Sequence, residues 1–519
     1  MNSLISQRSG IRLSQILPQA KFLGADEVLV QSCCGDWNDV EANDLYVAIV
    51  GADHDGHDFV HDALARGANA VVTERLLMID RPQIVVPDSR IAYARICQAL
   101  AGSPCQRMMT IGVSGSDGKT TTCHLIREIL RQGGFQAGMC TSNEVDHGAQ
   151  LHQHQQSPEH AMTAPYYADA LSEMAINGCD AAILEFSSVE LAQRTLDGIQ
   201  FEIALLTNLR QANLDFHGTV ENYRRMQKRI LSRLKPDGMM IINVDDPGSH
   251  FLLEKEDLPA LTIGMKQEAH VQGKLIEQYS SGQTFSISAG SDTVIVSSHI
   301  IGKQHIYNCL AAAAVGLAAG LDLTVIGEAL SRVKRIPGRL ERVECGQPFA
   351  VWIDSANQPT ALATAINAIK KVTRGKLWCV SSTHATQSEA ERRQIGEIAE
   401  RAADRLVLTR DHSGCEIDYE PLHQTLDGCQ SQADVRLIPN RFRAIEWTLS
   451  QAGPEDAVLI CGCGEKPIAI VGTENWKITD RDVCEAWLYD QSSLAPVKNV
   501  AESNGSKDSP NIYNIDDYR

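Results

Sequence analysis

The sequence predicts an α/β protein of three domains, and three observations lead there. The chain has 519 residues, 43% hydrophobic and 22% charged, enough to bury more than one core. Short continuous apolar runs alternate with helical patterns along most of its length, as expected of parallel strands covered on both faces. A glycine-rich joint, "TIGVSGSDGKTTTCHLIREIL" from Thr110 to Leu130, leads straight from a strand pattern into a helix pattern.

Residues 1–105 carry the strand-like runs "DLYVAIVG", "ANAVVTE" and "PQIVVPDS", interleaved with helical patterns such as "FVHDALARG". Residues 106–336 open with the glycine-rich joint. The runs "DAAILEFSS", "IALLTNL" and "GMMIINVDD" follow as buried strands, and the block closes on an alanine-rich helix, "NCLAAAAVGLAAGL". Residues 337–490 repeat the alternation with "PFAVWIDS", "KLWCVSS", "DRLVLTR" and "AVLICGCG", a Rossmann-like pattern. Residues 491–519 are polar and poor in apolar side chains, so a disordered tail is expected.

A formal net charge of −18 argues against a general nucleic-acid or anionic-membrane surface, while leaving room for a local basic pocket. The N-terminal stretch has no apolar core of signal-peptide length, and no run approaches the roughly 18 apolar residues of a membrane span. A cytoplasmic protein is expected. Fifteen cysteines contain no Cys-x-x-Cys pair, so they read as small buried apolar side chains in a reducing compartment.

Gly112, Gly115 and Gly118 precede Lys119 and Thr120 between the strand "RMMTIGVS" and the helix "TTTCHLIREIL". Glycine lets successive backbone N–H groups turn inward on a phosphate, and the helix N-terminus adds partial positive charge. The common P-loop places a glycine six residues before the lysine, where Val113 stands here. On this reading Lys119 reaches the outer phosphates and the Thr120 hydroxyl ligates Mg²⁺.

The spacing G-x-x-G-x-x-G-K-T-T resembles the loop of the Mur ligases and their folylpolyglutamate synthetase relatives. The resemblance extends over nearly the whole chain and is closest to the MurE type, which adds the third residue to the peptidoglycan precursor peptide. "DLYVAIVGADHDGHDFVHDALARGANAVVTE" and "VVPDSRIAYARICQALAG" resemble that family's uridine-nucleotide domain. "TLDGIQFEIALLTNL", "LDFHGTVENY", "IINVDDP", "YNCLAAAAVGLAAGL" and "IPGRLERVE" resemble its central domain and the entry to its third. The resemblance implies an N-terminal UDP-binding α/β domain, a central P-loop ATPase-like domain with a parallel sheet, and a C-terminal Rossmann-like domain.

It also implies a reaction. Members phosphorylate the carboxylate of a UDP-linked muramoyl peptide with ATP, and an incoming amino acid attacks the acyl phosphate to give an amide, ADP and phosphate. Gly115, Ser116, Asp117, Gly118, Lys119, Thr120 and Thr121 would hold the ATP phosphates, and Glu185 with Thr120 the Mg²⁺. Asn308 would lie near the adenine, and Arg339 and Asp354 would contact the nucleotide from the linker and third domain. Thr163, Ser187 and Gln193 match residues on the sugar and peptide side, and Asp411 and Gly462 fall in the amino-acid pocket. A monomer is expected from the family.

Departures cluster at the chemistry. The family's Asp-His-Leu-Asp reads "ANLD", placing Asn213 where a metal-binding histidine stands. Gln227 occupies the position of a lysine that is carbamylated beside a second metal. In the pocket, Asp-Asn-Pro-Arg reads "DHSG", the carboxylate-clamping arginine aligns with Gln387, and "GCGEK" puts Lys466 where a glutamate would hold a distal ammonium. An arginine fork is not replaced by glutamine, and a lysine repels a diammonium substrate, so diaminopimelate is not the expected amino acid. On the sugar side, "DWN" stands for Asp-Ser-Arg and "MTAP" for Asn-Thr-Thr-Pro, while His384 reads as a loop histidine. Two readings stay open: a MurE-type ligase with altered amino-acid choice, or a relative that binds nucleotide without turnover. A ligase for a different UDP-linked or polyglutamate-like substrate is a third.

Overall fold

The computed structural model describes residues 10–51, 54–148, 151–153, 162–210, 214–253, 258–384, 387–411, 419–431, 435–471 and 476–493. Three separate α/β sheets dominate it, with strands within residues 21–85, 109–298 and 341–461.

The first sheet is formed by β1 (Lys21–Leu23), β2 (Cys33–Cys34), β3 (Leu45–Val47), β4 (Ala70–Thr73) and β5 (Gln83–Val85), in the order β1-β5-β4-β3-β2. Helix α1 (Val60–Arg66) ends on Gly67, whose left-handed backbone closes it. Helix α2 (Ser89–Leu100) starts on Asp88, whose side chain accepts from the Ile91 amide at 3.0 Å. Small residues of α2 (Ala94, Cys97) and Ala101 pack on Ala164 and Ala168 of the middle domain, so the two domains approach closely there.

The middle sheet has eleven strands. Its centre is β6 (Met109–Ser114), followed by α3 (Lys119–Gln132), β7 (Ala137–Cys140), β8 (Glu144–Asp146) and β9 (Leu151–Gln153). Helix α4 (Ala164–Ile176), β10 (Ala181–Glu185), α5 (Ser188–Ala192), β11 (Phe201–Leu206), α6 (Val220–Lys228), β12 (Leu234–Asn243) and β13 (Ala260–Gly264) come next. The strands β14 (Val271–Tyr279), β15 (Gly282–Ala289) and β16 (Asp292–Ser298) lead into α7 (Lys303–Ala318) and α8 (Leu323–Arg332). The order is β9-β8-β7-β10-β6-β11-β12-β13-β14-β15-β16.

The seven strands from β7 to β14 pair in parallel, and both rims are antiparallel. The central strands β10, β6 and β11 are buried on both faces, as the sequence predicts. Ile111, Val113, Ile183 and Leu205 enter a core with Ile126 of α3 and Ile306 of α7. Leu184, Phe186, Phe201 and Leu206 enter a second core on the other side. Gly112 is small for this packing: a Cβ there would stand 3.0 Å from both Phe201 and Ile230. The β14–β16 meander extends the sheet beyond what the sequence patterning indicates.

The third sheet contains β17 (Glu341–Val343), β18 (Ala350–Asp354), β19 (Leu377–Thr383), β20 (Arg405–Arg410), β21 (Val435–Leu437) and β22 (Ala457–Cys461), in the order β17-β18-β22-β19-β20-β21. Helices α9 (Pro359–Lys370), α10 (Glu389–Ala402), α11 (Glu420–Asp427) and α12 (Arg441–Gln451) cover it. Helix α13 (Asp480–Ser493) runs three residues past the expected domain end, and the rest of the expected tail lies outside the described residues. A fully buried ion pair joins α12 to α13: Arg441 Nε donates to Asp480 Oδ1 at 2.7 Å and Nη2 to Oδ2 at 2.6 Å.

Of the fourteen described cysteines, eleven are buried, in keeping with the apolar reading of these residues. No helix among the described residues is long and apolar enough to cross a membrane.

Candidate active site

The carboxyl ends of β6, β10 and β11 meet at one edge of the middle sheet, where ligands of open α/β sheets bind. Register places Glu185 beside Val113 and Leu206 beside Ser114, so the loop after β6 lies between the ends of its two neighbours. Gly115 and Gly118 both have positive φ, +134° and +82°. A Cβ on Gly115 would stand 2.2 Å from Thr207 Oγ1, and one on Gly118 would stand 2.3 Å from Asn308 Oδ1. Only glycine meets both demands at these positions.

Thr207 and Asn208, just past β11, hold the loop from beneath. Thr207 Oγ1 donates to the Asp117 carbonyl at 2.7 Å, and Asn208 Nδ2 donates to the same oxygen at 3.0 Å. The Asp117 amide donates back to Asn208 Oδ1 at 3.1 Å. Both residues sit in the fragment "IALLTNL", yet nothing in its pattern marks them as supports of a loop some ninety positions earlier. Lys119 Nζ donates to the Gly115 and Ser116 carbonyls at 3.1 Å each, folded back over the loop it serves.

Thr120 links the loop to two charged side chains. Its Oγ1 donates to Glu185 Oε2 at 2.8 Å, and Arg339 Nη2 donates to Thr120 Oγ1 at 3.2 Å. Arg339 also bonds Ser355 Oγ and lies 3.9 Å from Glu465 Oε1, so one guanidinium joins the phosphate loop to the third domain. Asn143 Nδ2 bonds Glu465 Oε1 across the same gap. Asp354 accepts from the Leu340 amide at 2.7 Å and the Ala356 amide at 2.8 Å. It fixes the turn that carries Arg339, and burial raises its pKa. Beside the loop, the helix α7 residues His305 and Asn308 are buried; His305 Nδ1 and Asn308 Oδ1 have no partner among the described residues.

Together these groups line a cavity of about 620 Å³ between the middle and third domains. It contains Gly115 to Thr121, Glu185, Ser187, Asn308, Arg339, Asp354 and Gly462 from the sequence prediction. The hydroxyl of Ser187 accepts from the Glu190 amide at 3.2 Å, and the Glu190 carboxylate bonds the Ser187 amide in return, a capping box that starts α5. Burial pushes the Glu190 pKa up to about 7.

Other predicted residues stand apart from this lining. Thr163 is an exposed N-cap residue of α4, and Gln193 ends α5, half-buried. Gln227 is buried behind the loop. His384 sits in the loop that follows β19, as the sequence suggests, with its Nε2 3.6 Å from Asp411. Asn213 lies outside the described residues, as do His412, Ser413 and Gly414 of the "DHSG" segment.

A glycine-lined loop at the carboxyl ends of a parallel sheet, met by an arginine from a separate domain, defines the class: a multidomain α/β enzyme with a P-loop-like turn at a domain junction. Residues 38–100 match the Mur ligase family catalytic domain, 113–316 the Mur ligase middle domain and 338–464 the Mur ligase glutamate ligase domain. The chain is 32% identical to the UDP-N-acetylmuramoyl-L-alanyl-D-glutamate--2,6-diaminopimelate ligase of Geobacillus kaustophilus, over 86% of this chain and 92% of that protein. It is 33% identical to the UDP-N-acetylmuramyl-tripeptide synthetase of a Roseiflexus species, over 83% of this chain and 88% of that one. Among solved structures, a UDP-N-acetylmuramoyl-L-alanyl-D-glutamate--2,6-diaminopimelate ligase superposes with a TM-score of 0.64 at 24% identity, covering 93% of this chain and 99% of its own. MurF ligase from Thermotoga maritima in complex with ADP superposes with a TM-score of 0.60 at 20% identity, covering 89% and 98%. The chain belongs to the Mur ligase family of ATP-dependent amide ligases.

Proposed function

We propose that this chain is an ADP-forming ligase of the MurE type. It joins an amino acid other than diaminopimelate to UDP-N-acetylmuramoyl-L-alanyl-D-glutamate. Residues 1–105 would take the uridine nucleotide, 106–336 the ATP, and 337–490 the amino acid. The observation that carries this reading is the contact of Arg339 with Thr120, which brings a third-domain cation onto the phosphate loop.

A substrate carboxylate oxygen attacks the γ-phosphorus, the bond to the ADP oxygen breaks, and an acyl phosphate forms. The amine of the incoming amino acid then attacks the acyl carbon, loses a proton and expels phosphate. The protein's part is placement and charge neutralisation. Lys119 leaves the Gly115 and Ser116 carbonyls for the phosphate oxygens, and Arg339 meets the same group from the opposite side. Thr120 Oγ1 and Glu185 Oε2, 2.8 Å apart and both hard oxygen donors, suit Mg²⁺, which takes one or two protein oxygens together with phosphates and water. When bound, the ion neutralises charge on the transferring phosphoryl group.

The amino-acid choice follows from side chains already occupied or reversed in charge. Gln387 Oε1 accepts from the His384 amide at 2.8 Å and its Nε2 donates to the Asn357 carbonyl, so its amide has no free fork for a carboxylate. Lys466 lines the cleft, a cation where a diammonium substrate needs an anion. The test is phosphate release from ATP on the UDP-muramoyl dipeptide against a panel of amino acids. Release with one amino acid and none with diaminopimelate is expected. Turnover with diaminopimelate overturns the pocket reading, and nucleotide binding without any release supports the inactive relative instead.

A further inference from the structure

Gln227 stands where the sequence comparison expects an anion beside a second metal, and its surroundings give it different work. The side chain is fully buried. Its Nε2 donates to the Tyr223 hydroxyl at 3.1 Å, that hydroxyl meets Ser116 Oγ at 2.6 Å, and Ser116 Oγ donates to the Arg210 carbonyl at 2.8 Å. At the other end Gln227 Oε1 lies 2.6 Å from Ser114 Oγ, which is also 2.7 Å from the Phe186 carbonyl. Each hydroxyl has one hydrogen to give. Ser116 spends its own on Arg210, so Tyr223 donates to Ser116 and accepts from the amide nitrogen of Gln227. The row has one direction. It leaves the amide oxygen facing Ser114, which is itself fully buried. Ser114 ends β6 and Ser116 lies in the phosphate loop, so a single amide grips both sides of the turn at Gly115.

We propose that Gln227 is a positioning residue for the phosphate loop, and that the chain binds its nucleotide with one divalent cation, at Thr120 and Glu185, where the family pattern implies two. This rests on the ATP-ligase reading above. A second ion needs an anionic or free oxygen on the cleft side, and Gln227 offers a neutral oxygen already engaged with Ser114. Thr120 and Glu185 suffice for an ion completed by phosphates and water, but nothing comparable stands at Gln227. Positive charge comes from the protein: Lys119, Arg210, Lys303 and Arg339 line the same cavity.

The experiment uses the full chain, saturated with the non-hydrolysable analogue adenylyl imidodiphosphate and titrated with Mn²⁺, the bound ion being counted by electron paramagnetic resonance. One isolated Mn²⁺ per chain is expected. Two, or a spin-coupled pair, overturns the one-cation proposal. A parent protein that binds no analogue overturns the ATP reading on which it rests, and the two failures are distinct because no nucleotide-dependent signal then exists to count. Gln227→Met keeps the volume and orphans no polar group, since Ser114 turns its one hydrogen to the Phe186 carbonyl 2.7 Å away and Tyr223 keeps its bond to Ser116. It should weaken analogue binding by about 2- to 10-fold, the worth of a hydrogen bond, with the thermal midpoint and the Mn²⁺ count unchanged. Unchanged affinity overturns the positioning role. Should that variant not fold, Tyr223→Phe, which removes only the middle hydroxyl of the row, decides the same point by the same measurement.

Discussion

The two ends of the cleft are built differently. At the phosphate end, Ser116, Asp117, Lys119 and Thr120 are each tied to at least one partner within the middle domain, mostly by side chains rooted on strand ends or helices. At the third-domain end, Gly462 lies on a turn after β22, and outside the lining Asp411 and His384 meet at 3.6 Å. That turn is held by the Gly462 amide, which donates to the Asp354 carbonyl at 3.0 Å, and by Arg441 Nη2, which donates to the Cys461 carbonyl at 3.0 Å and is itself held by Asp480. The loop is braced by several neutral or exposed bonds, while part of the turn's support is a buried ion pair between two helices, so breaking that pair costs more than losing any one bond at the loop. The lesson is that rewritten positions fall at both ends: Gln227 stays inside the bonded network behind the loop, while Gln387 and Lys466 belong to the third domain.

The sharpest way to break the comparison is Asp480→Ala. It leaves the Arg441 guanidinium uncompensated in a fully buried site, which costs about 3–5 kcal/mol, read as a lower denaturant midpoint. A variant as stable as the parent would show that the turn has other support. Next comes Lys119→Ala, expected to lower phosphate release by about 10²- to 10³-fold while leaving the melting temperature near the parent's. A parent-like rate would remove the phosphate-loop assignment.

A smaller effect is set by pH. Burial holds the His305 pKa down at about 4 against an ordinary 6.5. Below pH 6.5 the unfolded chain takes up a proton that the folded one refuses, so stability is lost as pH falls from 6.5 toward about 4. The loss is on the order of 1–3 kcal/mol. His305→Asn should flatten this part of the stability profile, and a slope unchanged by the substitution would place the acid sensitivity elsewhere. The smallest effect belongs to Arg339→Lys. A lysine reaches one of Thr120, Ser355 and Glu465 but cannot span them, so phosphate release should fall by about 10-fold. No change would mean that the bridge between domains is not used in turnover.

The phosphate end was also the more legible end. Gly115 to Thr121 could be read from sequence because strand, glycine turn and helix are consecutive and the geometry is local, whereas Glu185, 65 positions from Thr120, is implied only by the family resemblance. The three continuous apolar strands β10, β11 and β12 were legible for the same reason, being buried on both faces. The β14–β16 meander was not, because "VQGKLIEQY" and "QTFSISAG" mix polar and apolar residues with no loud pattern. Thr207 and Asn208 escaped notice because their partner, Asp117, lies some ninety residues away. The Arg441–Asp480 pair and the His384–Asp411 contact are likewise products of tertiary folding. For Gln227 the sequence shows what has been lost, an ionisable amine, but not that both ends of its amide are engaged.

Arg339 ties two domains together mechanically. Its guanidinium touches the Thr120 hydroxyl with one nitrogen and Ser355 of the third domain with another. Any outward swing of the third domain has to break the Thr120 bond first, so the cost of parting the domains includes that one contact.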